Sequence, residues 1–177
     1  MKHIKYIYTL LFFTFFISTG YSVDKIATLD VVKLLKDSKA AISMKDQLNA
    51  VAKKYTEEDQ KKQKEIQKQE EELLRQKSTL TPEAFSDRKN TFEKKVIEFN
   101  KNSQNKRKAL ANAEKDAVGQ IEDEVEKIVK KIIETDNITA VFRNSAVILS
   151  DTSIDITKKV VEELNKNLSS VSVKVTP

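Results

Sequence analysis

Apolar side chains recur every three or four residues from Val31 to Tyr55, through Val31/Val32, Leu34/Leu35, Met44, Leu48 and Val51. This period predicts a helix, with an irregular stretch near Ser38–Ser43. The stripe then fades: in KKYTEEDQKKQKEIQKQEEELLRQK nothing apolar follows Tyr55 until Ile66, and after it come Leu73 and Leu74. A helix this polar cannot be buried in a globular core, so it projects into water and meets a partner along a thin stripe. Thr81, Pro82 and Glu83 predict the start of a second helix, with a hydroxyl cap, a proline at the first helical position and acidic character in the first turn. Pro82, in KSTLTPEAF, is the lone proline between Lys53 and Asp116, and the chain reverses there. The descending helix shows Phe85, Phe92 and Phe99 at intervals of seven, with Val96 between them. Leu110, Ala113, Ala117, Ile121, Val125, Ile128 and Ile132 continue the stripe with the three-and-four spacing of a two-helix coiled coil. The expected shape is a long antiparallel helical hairpin, in which thirty helical residues would reach ~45 Å.

The two ends of the chain read differently. KIATLD (25–30), with Ile26, Thr28 and Leu29, reads as a strand. After the turn-prone trio Thr135-Asp136-Asn137, ITAVFR and AVILS are separated by Asn144-Ser145, which predicts a β-hairpin with a two-residue turn. Asp151-Thr152-Ser153 ends it, and IDITKKVVEELNK predicts an amphipathic helix burying Ile154, Ile156, Val160, Val161 and Leu164. The tail SSVSVKVTP alternates Val171, Val173 and Val175 and reads either as an extra edge strand or as a frayed end. The expected fold class is α+β: a small β-rich body from residues 23–45 and 120–168, an arm over 46–119 and a tail over 169–177. A body of about eighty residues with three strands leaves open sheet edges and a marginal core. Symmetric association of bodies removes both defects by burying Ile26, Leu29, Val141, Phe142, Val147, Ile148 and Leu149.

Residues 1–22 address the chain. Lys2 and Lys5 precede the apolar run IYTLLFFTFFI, and Gly20 and Ser22 fit cleavage before Val23, a secretory signal peptide. The polar STGYS breaks the run short of the ~20 apolar residues that a membrane span needs. No second run of spanning length follows, so a soluble, exported mature chain is expected.

Composition removes most chemistry. There is no Cys, and the single His is His3, inside the signal, so no metal site, cofactor or nucleophile–base pair is expected. Acidic clusters such as Glu57-Glu58-Asp59 and Glu70-Glu71-Glu72 lie on exposed helix, which does not suit general acid–base work. The chain is read as a non-enzyme with no catalytic residues. Residues 53–116 carry seventeen Lys or Arg and thirteen Asp or Glu, so the excess positive charge lies on the arm. Acidic residues interleave throughout, and with the export signal this argues against a nucleic-acid partner.

Taken in order, the signal peptide, KIATLD, a charged helical hairpin and ITAVFRNSAVILSDTSIDITKKVVEELNK resemble the Skp (OmpH) family of periplasmic chaperones. The most specific pieces are VFRNSAVIL and the element Ser153-Ile154-Asp155-Ile156-Thr157 before a short terminal helix. The resemblance extends to about Lys166. It implies a jellyfish-like homotrimer, with hairpin tentacles enclosing a cavity below a central trimerisation body. It also implies an ATP-independent periplasmic holdase for unfolded outer-membrane β-barrel proteins. A non-catalytic coiled-coil spacer or scaffold of the envelope is the alternative function. Family members have been proposed to bind lipopolysaccharide through basic arm residues, and Lys106-Arg107-Lys108 lies in the matching region. An anionic membrane surface would be a partner of the same kind.

An unfolded β-barrel chain is apolar at every second residue, and capturing it takes a basic surface with scattered weak apolar contacts. Candidate contacts are Arg88, Lys89, Lys94, Lys95, Lys106, Arg107 and Lys108, with Phe85, Phe92 and Phe99 as apolar ones. At seven-residue spacing the phenylalanines also suit packing within the hairpin, and the basic residues suit an ordinary solvated face. Hinging is expected where the stripe fades, near Tyr55 and Ala109–Ala117. Gly119 is read either as a bending point or as a site of close packing.

Overall fold

The structure, a computed structural model, describes residues 24–176; the signal-peptide expectation for residues 1–22 lies outside them. Strand β1 spans Lys25–Leu29, and helices follow at Val31–Asp37 (α1), Lys39–Gln76 (α2) and Pro82–Asp136 (α3). Strand β2, Ile138–Arg143, and helix α4, Thr157–Asn167, complete the chain.

Local chemistry sets these boundaries. Asp30 caps α1 by accepting the backbone N–H of Lys33 at 2.9 Å. The predicted first helix is two helices, because the buried Ser38 takes an extended conformation and its hydroxyl accepts the Ala41 N–H at 3.3 Å. The irregularity is therefore confined to Ser38, and Lys39–Ser43 is regular helix. Asn165 of α4 accepts the Lys39 N–H at 2.7 Å, tying the new helix start to the body. Thr81 caps α3 with Pro82 at its first position, as the sequence predicts. Asn137 ends α3 in the left-handed conformation, at φ 53°, and returns its N–H to Ile133.

The sheet departs from expectation. Among the described residues it has two strands, not three, and they are parallel: Ala27 lies opposite Val141, Thr28 opposite Phe142 and Leu29 opposite Arg143. The long helices serve as the crossover that parallel pairing requires. AVILS forms no strand among the described residues, and the ITAVFR–AVILS hairpin is absent. The two-residue hairpin turn predicted at Asn144-Ser145 requires positive φ, and Asn137 is the sole non-glycine residue with it among the described residues. Asn144–Ala146 instead wind into a 3-10 turn closed by the Val147 N–H on the Asn144 carbonyl. The body is thus mostly helical and not β-rich.

The free edge of β1 is engaged by the segment before α4. Ile156 donates to the Thr28 carbonyl at 3.0 Å, and the buried Thr157 hydroxyl accepts the Asp30 N–H at 2.8 Å. Asp155 accepts both the N–H and the hydroxyl of Thr157. The Asp-Ile-Thr element therefore clips the two ends of the chain together. One core results, in which Leu34, Ala40, Ala41 and Met44 meet Ala117, Ile121, Ile128 and Ile132 of α3 and Val160 and Leu164 of α4.

The tail fits neither alternative offered by its sequence. It forms no strand and it is not loose: Val171 is 5% exposed and belongs to the core, and Val173 packs against it.

Candidate functional site

Beyond the core, α2 and α3 continue as one antiparallel pair. Its register is legible in side-chain bonds: Gln76 accepts from Arg88, and seven residues further down the arm Gln69 accepts from Lys95. Tyr55, Asp59, Ile66, Gln69, Leu73 and Gln76 of α2 are half-buried and face the seam. From α3, Phe85, Phe92, Val96 and Phe99 are half-buried, followed by the buried Ser103 and the half-buried Lys106 and Leu110. The phenylalanines thus lie on the packed side of the hairpin, and Leu73 and Phe92 share one shallow trough with Gln69, Gln76, Arg88 and Lys95.

Where the apolar stripe fades, a polar cluster takes its place. Lys106 reaches Glu58 at 2.9 Å and Asp59 at 2.8 Å, its side chain 13% exposed, with its ammonium 5.1 Å from the centre of the Tyr55 ring. The Lys106 hydrogen bond holds the Glu58 carboxyl below its ordinary pKa. Burial works to raise that of Asp59, but the hydrogen bond and charge of Lys106, together with the nearby Ser103 hydroxyl and Arg107, outweigh it and the net direction is down. Burial disfavours the charged Lys106, yet its bonds to Asp59 and Glu58 raise its pKa overall. The Ser103 hydroxyl lies near enough to bias Asp59 but makes no hydrogen bond of good geometry. The signal for this cluster was present in the spacing: Asp59 follows Tyr55 by four residues and Lys106 follows Phe99 by seven, so both occupy seam positions.

The candidate basic residues divide accordingly. Arg88, Lys95 and Lys106 bridge the two helices, and Lys89 lies 3.6 Å from Glu93 on its own helix. Lys94, Arg107 and Lys108 are exposed and make no ion pair among the described residues. Of the candidate association residues, Leu29 is covered by its own chain, and Val141 and Val147 are half-buried. Ile26 and Phe142 are about half exposed, Ile148 is 105% exposed and Leu149 is 91% exposed. An apolar groove of about 380 Å³ lies beside Phe142, lined also by Val31, Leu35, Val125, Val129 and Val141. Close packing does not explain Gly119, where an added Cβ would meet nothing within 4 Å.

Among the described residues no cluster of three or more His, Asp or Glu is placed to hold a metal, and no helix is long and apolar enough to cross a membrane. The architecture defines a class: a small mixed body that projects one long, mostly polar helical hairpin. A family model for outer membrane proteins of the OmpH-like type matches residues 25–164. The chain belongs to this OmpH-like family. Among solved structures, a candidate outer membrane chaperone (OmpH-like) from Caulobacter crescentus shares the fold with a TM-score of 0.79 at 15% identity, covering 89% of this chain and 94% of that one. No curated protein matches the sequence. The valine tail lies outside the family match.

Proposed function

We propose that this protein is an ATP-independent periplasmic holdase that binds unfolded outer-membrane β-barrel proteins between helical arms and keeps them from aggregating before insertion. The observation that carries the reading is the arm itself: helices of 38 and 55 residues whose outer parts meet along a half-buried stripe and otherwise present charge to water. Such a surface suits many weak contacts, which retain a client without trapping it. Lys94, Arg107 and Lys108 are the basic residues best placed for encounter, with lipopolysaccharide or an anionic membrane as further partners. Lys106, Arg88 and Lys95 serve first to hold the hairpin together.

The cavity belongs to an assembly of three chains, with residues 23–45 and 120–168 as body and 46–119 as arm. Support for association comes from the exposed Ile148 and Leu149, the outer edge of β2, which pairs with no strand among the described residues, and the apolar groove beside Phe142. Isolated in water, such a surface is a liability.

Sedimentation of the mature chain (23–177), alone and after dilution of a urea-unfolded β-barrel protein into it, tests the reading. A trimer that takes up one otherwise insoluble client is the expected result. A trimer that ignores the client leaves the envelope spacer as the function.

A further inference from the structure

We propose that the groove between α2 and α3 at the foot of the arm is a binding site for extended polypeptide carrying an apolar residue at every second position. The chain's own tail occupies it until such a segment displaces it. The site rests on geometry alone; that its displacing ligand is an unfolded β-barrel rests on the holdase reading.

The tail is held as a peptide ligand is held. Residues 169–176 make no backbone–backbone hydrogen bond among the described residues, and three of their main-chain groups are bonded by side chains of the two helices. The Gln47 amide of α2 grips both sides of one residue, donating to the Val171 carbonyl at 2.9 Å and accepting the Val173 N–H at 3.4 Å. From α3, Gln120 donates to the Ser172 carbonyl at 3.2 Å. All three bonds go to the main chain, so they do not depend on the tail's own side-chain identities. What selects a sequence is the alternation: Val171 is buried, Val173 and Val175 are half-buried, and Ser172 and Lys174 face water. A transmembrane β-strand carries this same period of two. A ligand held by its backbone at one end of a basic arm is of the chemical kind that an unfolded barrel supplies. Tethering gives the tail an effective concentration on the order of millimolar, so it competes with free segments and yields to long, multiply anchored ones.

The test uses the full chain and a labelled peptide, SSVSVKVT, read by fluorescence anisotropy. Val171→Asp, which ejects the tail, is expected to bind the peptide about tenfold or more tightly than the unaltered chain. Adding Gln47→Ala and Gln120→Ala is expected to abolish that gain, and a peptide of the same composition with its valines adjacent is expected to bind poorly. Should Val171→Asp fail to fold, Val173→Asp at a half-buried position replaces it. Folded variants that bind the peptide no better than the unaltered chain would overturn the site and leave the tail a fixed strap. Hydrogen exchange gives the second readout: an unfolded β-barrel bound by the full chain should strip protection from the Val173 amide. Binding without that loss would overturn displacement while sparing the holdase. Peptide uptake by Val171→Asp in a protein that ignores β-barrels would sink the holdase and leave the site standing.

Discussion

The foot of the hairpin and its outer arm share two helices and one three-and-four spacing, yet they are packed in different ways. At the foot, α3 presents the buried Ala109, Ala113 and Ala117 and then Ile121, Ile128 and Ile132, with α1, α4 and the tail closing over the lower part. Further out, larger side chains at the same positions, Phe92, Val96 and Phe99, stay half-exposed. The difference is the number of neighbours. Two helices alone enclose only small side chains such as Ser103, Ala109 and Ala113, and complete burial of a large one needs a third element. Stability is therefore concentrated at the foot, and the arm is held by a thin stripe, cross-arm glutamine bonds and the Lys106 cluster. That grading suits an arm that opens locally while its anchor stays folded.

The largest effect should come from removing volume where neighbours are many. Ile121→Ala is expected to cost ~2–5 kcal/mol in chemical denaturation. Phe92→Ala, truncating a larger side chain in the arm, should leave the global midpoint nearly unchanged while speeding hydrogen exchange of arm amides. Equal losses from the two would erase the distinction between foot and arm.

A smaller effect is expected at the polar cluster. Lys106→Ala should cost about 1 kcal/mol, because Asp59 is left partly buried without its cation while water still reaches the site. The carboxyls of Glu58 and Asp59 lie below their ordinary 4.5 and 3.8, so their contribution is present above those values and is lost as pH falls through the lowered ones. The ammonium of Lys106 lies above its ordinary 10.5, so its contribution is complete below that pH and is lost as pH rises through the raised value. The advantage of the unaltered chain over Lys106→Ala should thus hold between about pH 4.5 and 10.5 and shrink on either side. Thermal denaturation from below that window to above it checks it, and a difference that stays flat beyond both ends would mean that the cluster works by packing alone.

The smallest change is at Gly119. Open space around it means that Gly119→Ala should stabilise the protein by ~0.5–1 kcal/mol through helix propensity. Unchanged small-angle scattering and an unchanged client range in that variant would remove Gly119 as a bending point.

Much of the candidate site was legible because it is local. Heptad spacing placed Phe85, Phe92 and Phe99 on one side of α3, and that side faces α2. The Lys106 cluster was missed although its members sat at seam positions, because a lysine reads as solvated until its partner across the hairpin is known. The AVILS run was misread as a strand for a related reason: β-propensity describes a surface that fits a sheet and does not supply the neighbouring strand.

By itself the sequence determined what short-range chemistry can specify: the polar arm, the reversal before Pro82, the Thr81 cap and the Asn137 stop. Each depends on contacts within a turn of helix, so the residues involved are visible together in the chain. Tertiary structure alone decided the parallel pairing of β1 with β2, the capture of Lys106 by Asp59 and the seating of the valine tail on Gln47 and Gln120. Those pairings join residues 47 to 126 positions apart, as Lys106 with Asp59 and Val173 with Gln47 do. A chain's local preferences carry no information about which distant group will arrive, and only the closed core fixes that choice.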